Sequence, residues 1–251
     1  MTSRFLQIIP ACFLLLTSAQ SFADNLNVAV ASNFAHTMKI LAEDFESKTT
    51  HQLRISSAST GKLYTQINHG APFDVFLAAD EARPDLLIAA NKASADQSRV
   101  YAKGKLVLVS NIKPEKNCTD ILDNTNLKRL AIANPKTAPY GAAARQALKK
   151  LQHWDSTKNK LVMGENIAQT LQFVSTGSAN AGFIAKSMLM QGTKIESACE
   201  WDIPTDMYDP IKQKMVVLSN SSNKPSVQAF WKYMQTDAAS TIIKNNGYDV
   251  L

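Results

Sequence analysis

Ile55-Ser56-Ser57-Ala58-Ser59-Thr60-Gly61-Lys62-Leu63-Tyr64 decides how the rest of the chain is read. It leaves an extended run, Gln52 to Ile55, and enters a segment whose apolar residues Leu63 and Ile67 lie four apart. That spacing is one face of a helix, so the stretch is a strand-to-helix corner packed with small hydroxyl residues. A helix start exposes N–H groups without internal partners and carries partial positive charge. Two readings fit such a corner: Ser59 or Thr60 caps the helix, or the corner holds an oxyanion with no charged side chain.

The same construction precedes it. Leu26 to Val30 is a short apolar strand ending at Ala31-Ser32-Asn33, and Phe34, Met38, Leu41 and Phe45 then trace a helix face with Ser32 at the expected N-cap. Two such corners in a β-α-β-α order place both helix starts at the carboxyl edge of a parallel sheet, where open α/β sheets bind ligands. Asp74 to Ala78 reads as a buried strand, and Asp80 as the cap of a third helix running through Leu86 to Ala90. Asp74 and Asp80 thus take structural positions, a strand entry and a helix cap, rather than forming an acid–base pair.

Tyr101 to Gly104 is read as a crossing into a second domain, with Lys105 to Ser110 its first strand. The grammar then repeats: strand Arg129 to Ala133, loop Asn134 to Gly141, and a helix carrying Ala144, Ala147, Leu148 and Leu151. Strand Lys160 to Met163 follows, then the turn Gly164-Glu165-Asn166 and a helix from Ile167. Ser178 to Ile184 gives another strand, Pro204 to Pro210 is irregular, Met215 to Leu218 is a strand, and Val227 to Met234 is the closing amphipathic helix.

Before all this, Met1 to Ala23 reads as a secretory signal, with apolar Phe5 to Leu16 and Ser21-Phe22-Ala23 predicting cleavage before Asp24. The apolar run is too short to span a bilayer, which needs roughly 20 residues. Cys12 lies inside that run, against a lipid anchor. The mature chain, about 228 residues, suffices for one large or two small domains. Its formal charge falls by one from +6 when Arg4 leaves, and the lysines form no block, so nucleic acid is poorly supported as partner. Two cysteines remain, Cys118 and Cys199. In an exported chain they favour one disulfide over two unpaired buried thiols. The four histidines are scattered, against a structural zinc site. Loops able to face a cleft are built of Ser, Thr, Gly, Ala and Asn, with no arginine cluster. Such donors favour a fully ionised oxyanion over a protonated one.

Val28 to Phe34, Ser59 to Ile67, Gly70 to Asp80, Pro135 to Gly141 and Gly164 to Ile167, in that order, resemble the periplasmic molybdate-binding proteins, substrate-binding components of molybdate ABC transporters. The resemblance runs over the whole mature chain. It implies an α/β, type II periplasmic-binding-protein fold: two lobes, residues 24–103 plus 208–251 and residues 104–207, joined by two crossing segments around a ligand cleft. It implies molybdate, and tungstate with it, as ligand, no cofactor, and no direct protein bond to molybdenum. The implied partner is an inner-membrane permease, with the chain a periplasmic monomer. By the same resemblance Ser32 and Thr60 would give hydroxyl and backbone N–H from one lobe, Tyr140 and Ile167 backbone N–H from the other, and Ser59 would neighbour the ion. Some relatives add a tyrosine hydroxyl from the position that is Ala185 here, which leaves a fifth contact unassigned.

A rival from another class is an exported serine acyl-transferase, since Ser59-Thr60-Gly61-Lys62 satisfies Ser-x-x-Lys. Neither Ser-Asp-Asn nor Lys-Thr-Gly follows it, so the chain reads as a binding protein and not an enzyme. A nearer rival keeps the fold and binds sulfate or phosphate. The lack of an acidic acceptor disfavours hydrogen phosphate.

Overall fold

Residues 25–190 and 195–250 are described by the structure, a computed structural model. The expected signal peptide, with Cys12 and the cleavage site, lies outside them. Among the described residues, ten strands form two five-stranded sheets of the same design.

The first sheet is built from β1 (Asn25–Ala31), β2 (Gln52–Ala58), β3 (Val75–Leu77) and β4 (Ala93–Gly104), completed late in the chain by β10 (Ile211–Leu218), in the order β2-β1-β3-β10-β4. β1 lies parallel to β2 and β3, and β10 antiparallel to β3 and β4. The second holds β5 (Leu106–Ser110), β6 (Leu130–Ala133), β7 (Leu161–Gly164), β8 (Ala181–Ala185) and β9 (Cys199–Asp202), in the order β7-β6-β8-β5-β9. Here β6 is parallel to β7 and β8, and β5 antiparallel to β8 and β9. The chain passes between sheets twice, through Lys105 and through residues 203–210.

Nine α-helices cover the sheets: α1 (Ala35–Lys48), α2 (Thr60–Asn68), α3 (Ala82–Ala89), α4 (Pro139–Lys150), α5 (Trp154–Thr157), α6 (Ile167–Ser175), α7 (Lys186–Leu189), α8 (Pro225–Tyr233) and α9 (Asp237–Asn245), counted among the described residues. Alternation along β1 explains the layering. Leu26, Val28 and Val30 join Phe34, Phe45 and Phe230 in the core under α1, α8 and α9, while Ala29 joins Leu63, Ile67 and Leu87 under α2 and α3. The second lobe has one core, centred on Val107, Ile132, Leu148 and Phe183. Cys118 and Cys199 form a disulfide that fastens the turn after β5 to β9.

Several expectations change. Tyr101 to Gly104 is no free crossing: it ends the twelve-residue strand β4. β4 and β9 are sheet edges with half-exposed, polar faces, and so lack the apolar run that marks a buried strand. α9 follows the helix expected to close the chain. Ser32 is not an N-cap. It opens a 3-10 turn, Ser32–Phe34, that leads into α1. Asp80 accepts the Arg83 N–H at 3.1 Å from one position ahead of the N-cap, Glu81. Asp74 is buried and accepts from the Asn27 N–H, the Ser221 hydroxyl and the Lys224 ammonium, a structural role as expected.

Candidate functional site

Four parallel strands, β1 and β2 from one sheet and β6 and β7 from the other, each end at a helical start, and the four starts face one cavity. Its walls are Ala31, Ser32, Asn33, Ser59, Thr60, Ala79, Ala138, Pro139, Tyr140 and Ile167. The enclosed space is about 10 Å³, roughly the least that admits one water. Ser32, Ser59, Thr60, Tyr140 and Ile167 are therefore brought together. Ala185, fully buried at the end of β8, is not on the wall.

The local chemistry of each start leaves donors free. Ser59 holds the N-cap position of α2 but its side chain makes no capping bond, so the plain capping reading of the corner does not apply. Thr60, 1% exposed, accepts the Ala79 N–H through Oγ1 at 3.1 Å. One lone pair is thereby used and the hydroxyl proton remains to donate. The Ser32 hydroxyl makes no hydrogen bond to any other described residue.

In the second lobe, Pro139 occupies the first turn of α4 and has no N–H, so the first N–H that α4 presents is that of Tyr140. Gly141 allows α4 to start against the end of β6: a Cβ there would lie 2.1 Å from the Ala133 carbonyl oxygen. At α6 the Asn166 side chain accepts from the Gln169 N–H at 3.0 Å, and the Gln169 side chain accepts from the Glu165 N–H at 2.7 Å. This reciprocal cap satisfies the third helical position and leaves the Ile167 N–H, at the first, unused.

No charged side chain lines the cavity among the described residues. The field inside it comes from four helical N-termini and neutral N–H and O–H groups, an arrangement that stabilises an anion and offers few acceptors to a proton-bearing one. Lys62 is more than half exposed, with its ammonium 3.9 Å from Glu165, and no hydrogen bond joins it to Ser59 among the described residues.

Asn33 was not singled out by sequence, yet it lines the cavity and anchors a buried polar network behind it. Its Nδ2 donates to Gln213 Oε1 at 2.8 Å, while Gln213 Nε2 donates to the Tyr140 hydroxyl at 3.3 Å. The Tyr101 hydroxyl also reaches Gln213 Oε1, and the Tyr248 hydroxyl donates to the Asn33 carbonyl at 2.7 Å. Burial pushes the Tyr101 and Tyr140 phenols well above their ordinary value, with the neighbouring Tyr248 adding to it, so both stay protonated donors. The sequence signal for Asn33 was its place beside Ser32; Gln213 gave none, as a lone polar residue in a strand.

Among the described residues no group of three or more His, Cys, Asp or Glu side chains could hold a metal ion, and no helix is long and apolar enough to cross a membrane.

The model of the bacterial extracellular solute-binding protein family matches residues 26–249. The chain is 44% identical to the molybdate-binding protein ModA of Azotobacter vinelandii, over 94% of this chain and 93% of that one. It is 37% identical to the molybdate-binding protein ModA of Rhodobacter capsulatus, over 90% and 88%. The solved periplasmic molybdate-binding protein of Azotobacter vinelandii superimposes with a TM-score of 0.84 at 35% identity, covering 90% of this chain and 99% of that one. With its two lobes and the cavity between them, the chain belongs to the bacterial extracellular solute-binding proteins, and within them to the molybdate-binding proteins.

Proposed function

We propose that the chain binds molybdate, and tungstate with it, in the cavity between its lobes and delivers it to the permease of an ABC transporter. The observation that carries this reading is the convergence of four helix starts, two per lobe, on a cavity with no charged wall. Ser32 and Thr60 hold the ion through hydroxyl and backbone N–H, and Tyr140 and Ile167 through backbone N–H. Ser59 and Asn33 complete the wall. The molybdenum touches no protein atom, since every contact is made by an oxygen of the ion.

The lobes part at the two passages, Lys105 and residues 203–210, so Gly104, the last residue of β4, goes with the first lobe rather than the second. One lobe captures the ion and the two then close about Lys105 and residues 203–210. The carrier is exported to the periplasm with cleavage before Asp24, acts as a monomer without a cofactor, and catalyses nothing.

Isothermal titration of the chain lacking residues 1–23 tests this. One-to-one heat with molybdate and tungstate, and far weaker heat with sulfate and phosphate, is the expected result. No binding of molybdate alongside tight binding of another oxyanion would overturn the ligand and leave the fold standing.

A further inference from the structure

The lobes also hold each other directly, one residue away from the ion site. The Gly61 N–H, second in α2, donates to the Thr137 carbonyl of the opposite lobe at 2.9 Å. Arg83 of α3 donates from Nη2 to the neighbouring Lys136 carbonyl, also at 2.9 Å. Two successive carbonyls of one loop are thus gripped by two donors of the other lobe. Both halves are stiff. Asp80 pairs with the Arg83 guanidinium and accepts the Arg83 N–H. On the far side Asn134 accepts from the Lys136, Thr137 and Ala138 N–H groups, through its side chain and its carbonyl.

We infer that Arg83 and Gly61 form a latch that sets how long the closed lobes retain the ion, with Arg83 its positioning side chain. The inference rests on the ion-binding reading above. Arg83 is not among the residues that line the ion cavity, so it acts on the ion only through closure. Its position makes that action direct: Gly61 follows Thr60, Asp80 follows Ala79, and Thr137 lies three residues before Tyr140. The Lys62–Glu165 pair, which also spans the cleft, is exposed and 3.9 Å apart, too solvated to add much.

Steric fit explains why a glycine stands at position 61. A Cβ there would lie 3.0 Å from Thr137 Cα and 3.1 Å from its carbonyl oxygen. Within the helix alanine is the better residue, so Gly61→Ala favours the isolated lobe while wedging the latch open.

Release of radiolabelled molybdate after a chase with unlabelled ion, measured beside the melting temperature of the ion-free protein, separates the roles. Arg83→Ala is expected to speed release roughly tenfold with little change in association, because most affinity changes lie in dissociation. Arg83→Lys, which keeps one donor, should fall between. Gly61→Ala should also release faster, with an ion-free melting temperature no lower than wild type. Unchanged release in Arg83→Ala and Gly61→Ala, with a lowered melting temperature for Arg83→Ala, would make Arg83 a structural partner of Asp80 and overturn the latch alone. A wild type that retains no molybdate would overturn both readings together.

Discussion

At the scale of the residue, Ser32 and Thr60 offer the same hydroxyl but are held differently, and their variants should differ accordingly. Thr60 Oγ1 satisfies the buried Ala79 N–H, whereas the Ser32 hydroxyl has no partner among the described residues. Ser32→Ala is therefore expected to weaken molybdate binding by about 1–3 kcal/mol, the scale of a hydrogen bond to a charged group, with the melting temperature of the ion-free protein unchanged. Thr60→Ala should cost a similar amount of affinity and also lower that melting temperature, since it strands a buried N–H. Thr60→Ser should restore both. Titration calorimetry and thermal denaturation on the three variants check this; equal melting behaviour of Ser32→Ala and Thr60→Ala would refute the distinction. These residues were legible in sequence because a hydroxyl between an apolar strand and a helical period is a local pattern. Asn33 and Gln213 were not, because what joins them is a contact 180 positions apart in the chain.

At the scale of the element, the helix starts depend on caps that can be removed without touching the cavity. Asn166→Ala deletes the side-chain acceptor for the Gln169 N–H, at about 1 kcal/mol of stability. It should also loosen the first turn of α6 and weaken molybdate binding through a misplaced Ile167 N–H, which paired denaturation and titration would show. The disulfide makes the opposite case. It joins Cys118 to Cys199 across 81 positions within one lobe, so replacing both with serine is expected to cost about 4.5 kcal/mol in the chain-entropy account. Binding at room temperature should persist, since β9 lies at the opposite edge of its sheet from β7, with β8 and β5 between it and β6. Loss of binding with retained fold would show instead that the β9 edge helps to shape the site. Most elements could be read from the sequence because buried strands and amphipathic helices leave period-two and period-3.6 patterns. β4 and β9 escaped because an edge strand meets solvent along much of its length, and its polar sequence carries neither pattern.

At the scale of the whole molecule, the two lobes meet at a buried amide. Gln213 lies on β10, just past the second passage between the sheets, and its side chain joins Asn33 of one lobe to Tyr140 of the other. It is fully buried; Asn33 and Tyr140 line the cavity, while its third partner, Tyr101, does not. Gln213→Glu preserves shape but places an ionisable group behind a site built only of donors. Burial and the nearby dianion both disfavour its charged form, so its pKa should rise, by up to several units. With the carboxylate charged, oxyanion binding should be strongly weakened. As the pH falls through that raised pKa the group becomes neutral, and affinity should recover. Wild type, whose one ionisable wall side chain among the described residues is the Tyr140 phenol, pushed up by burial, should give a flat profile over the same range. Titrations with molybdate from pH 8 down to pH 5 would test this in both proteins. A flat profile in Gln213→Glu at wild-type affinity would mean that the pivot amide is electrostatically isolated from the ion.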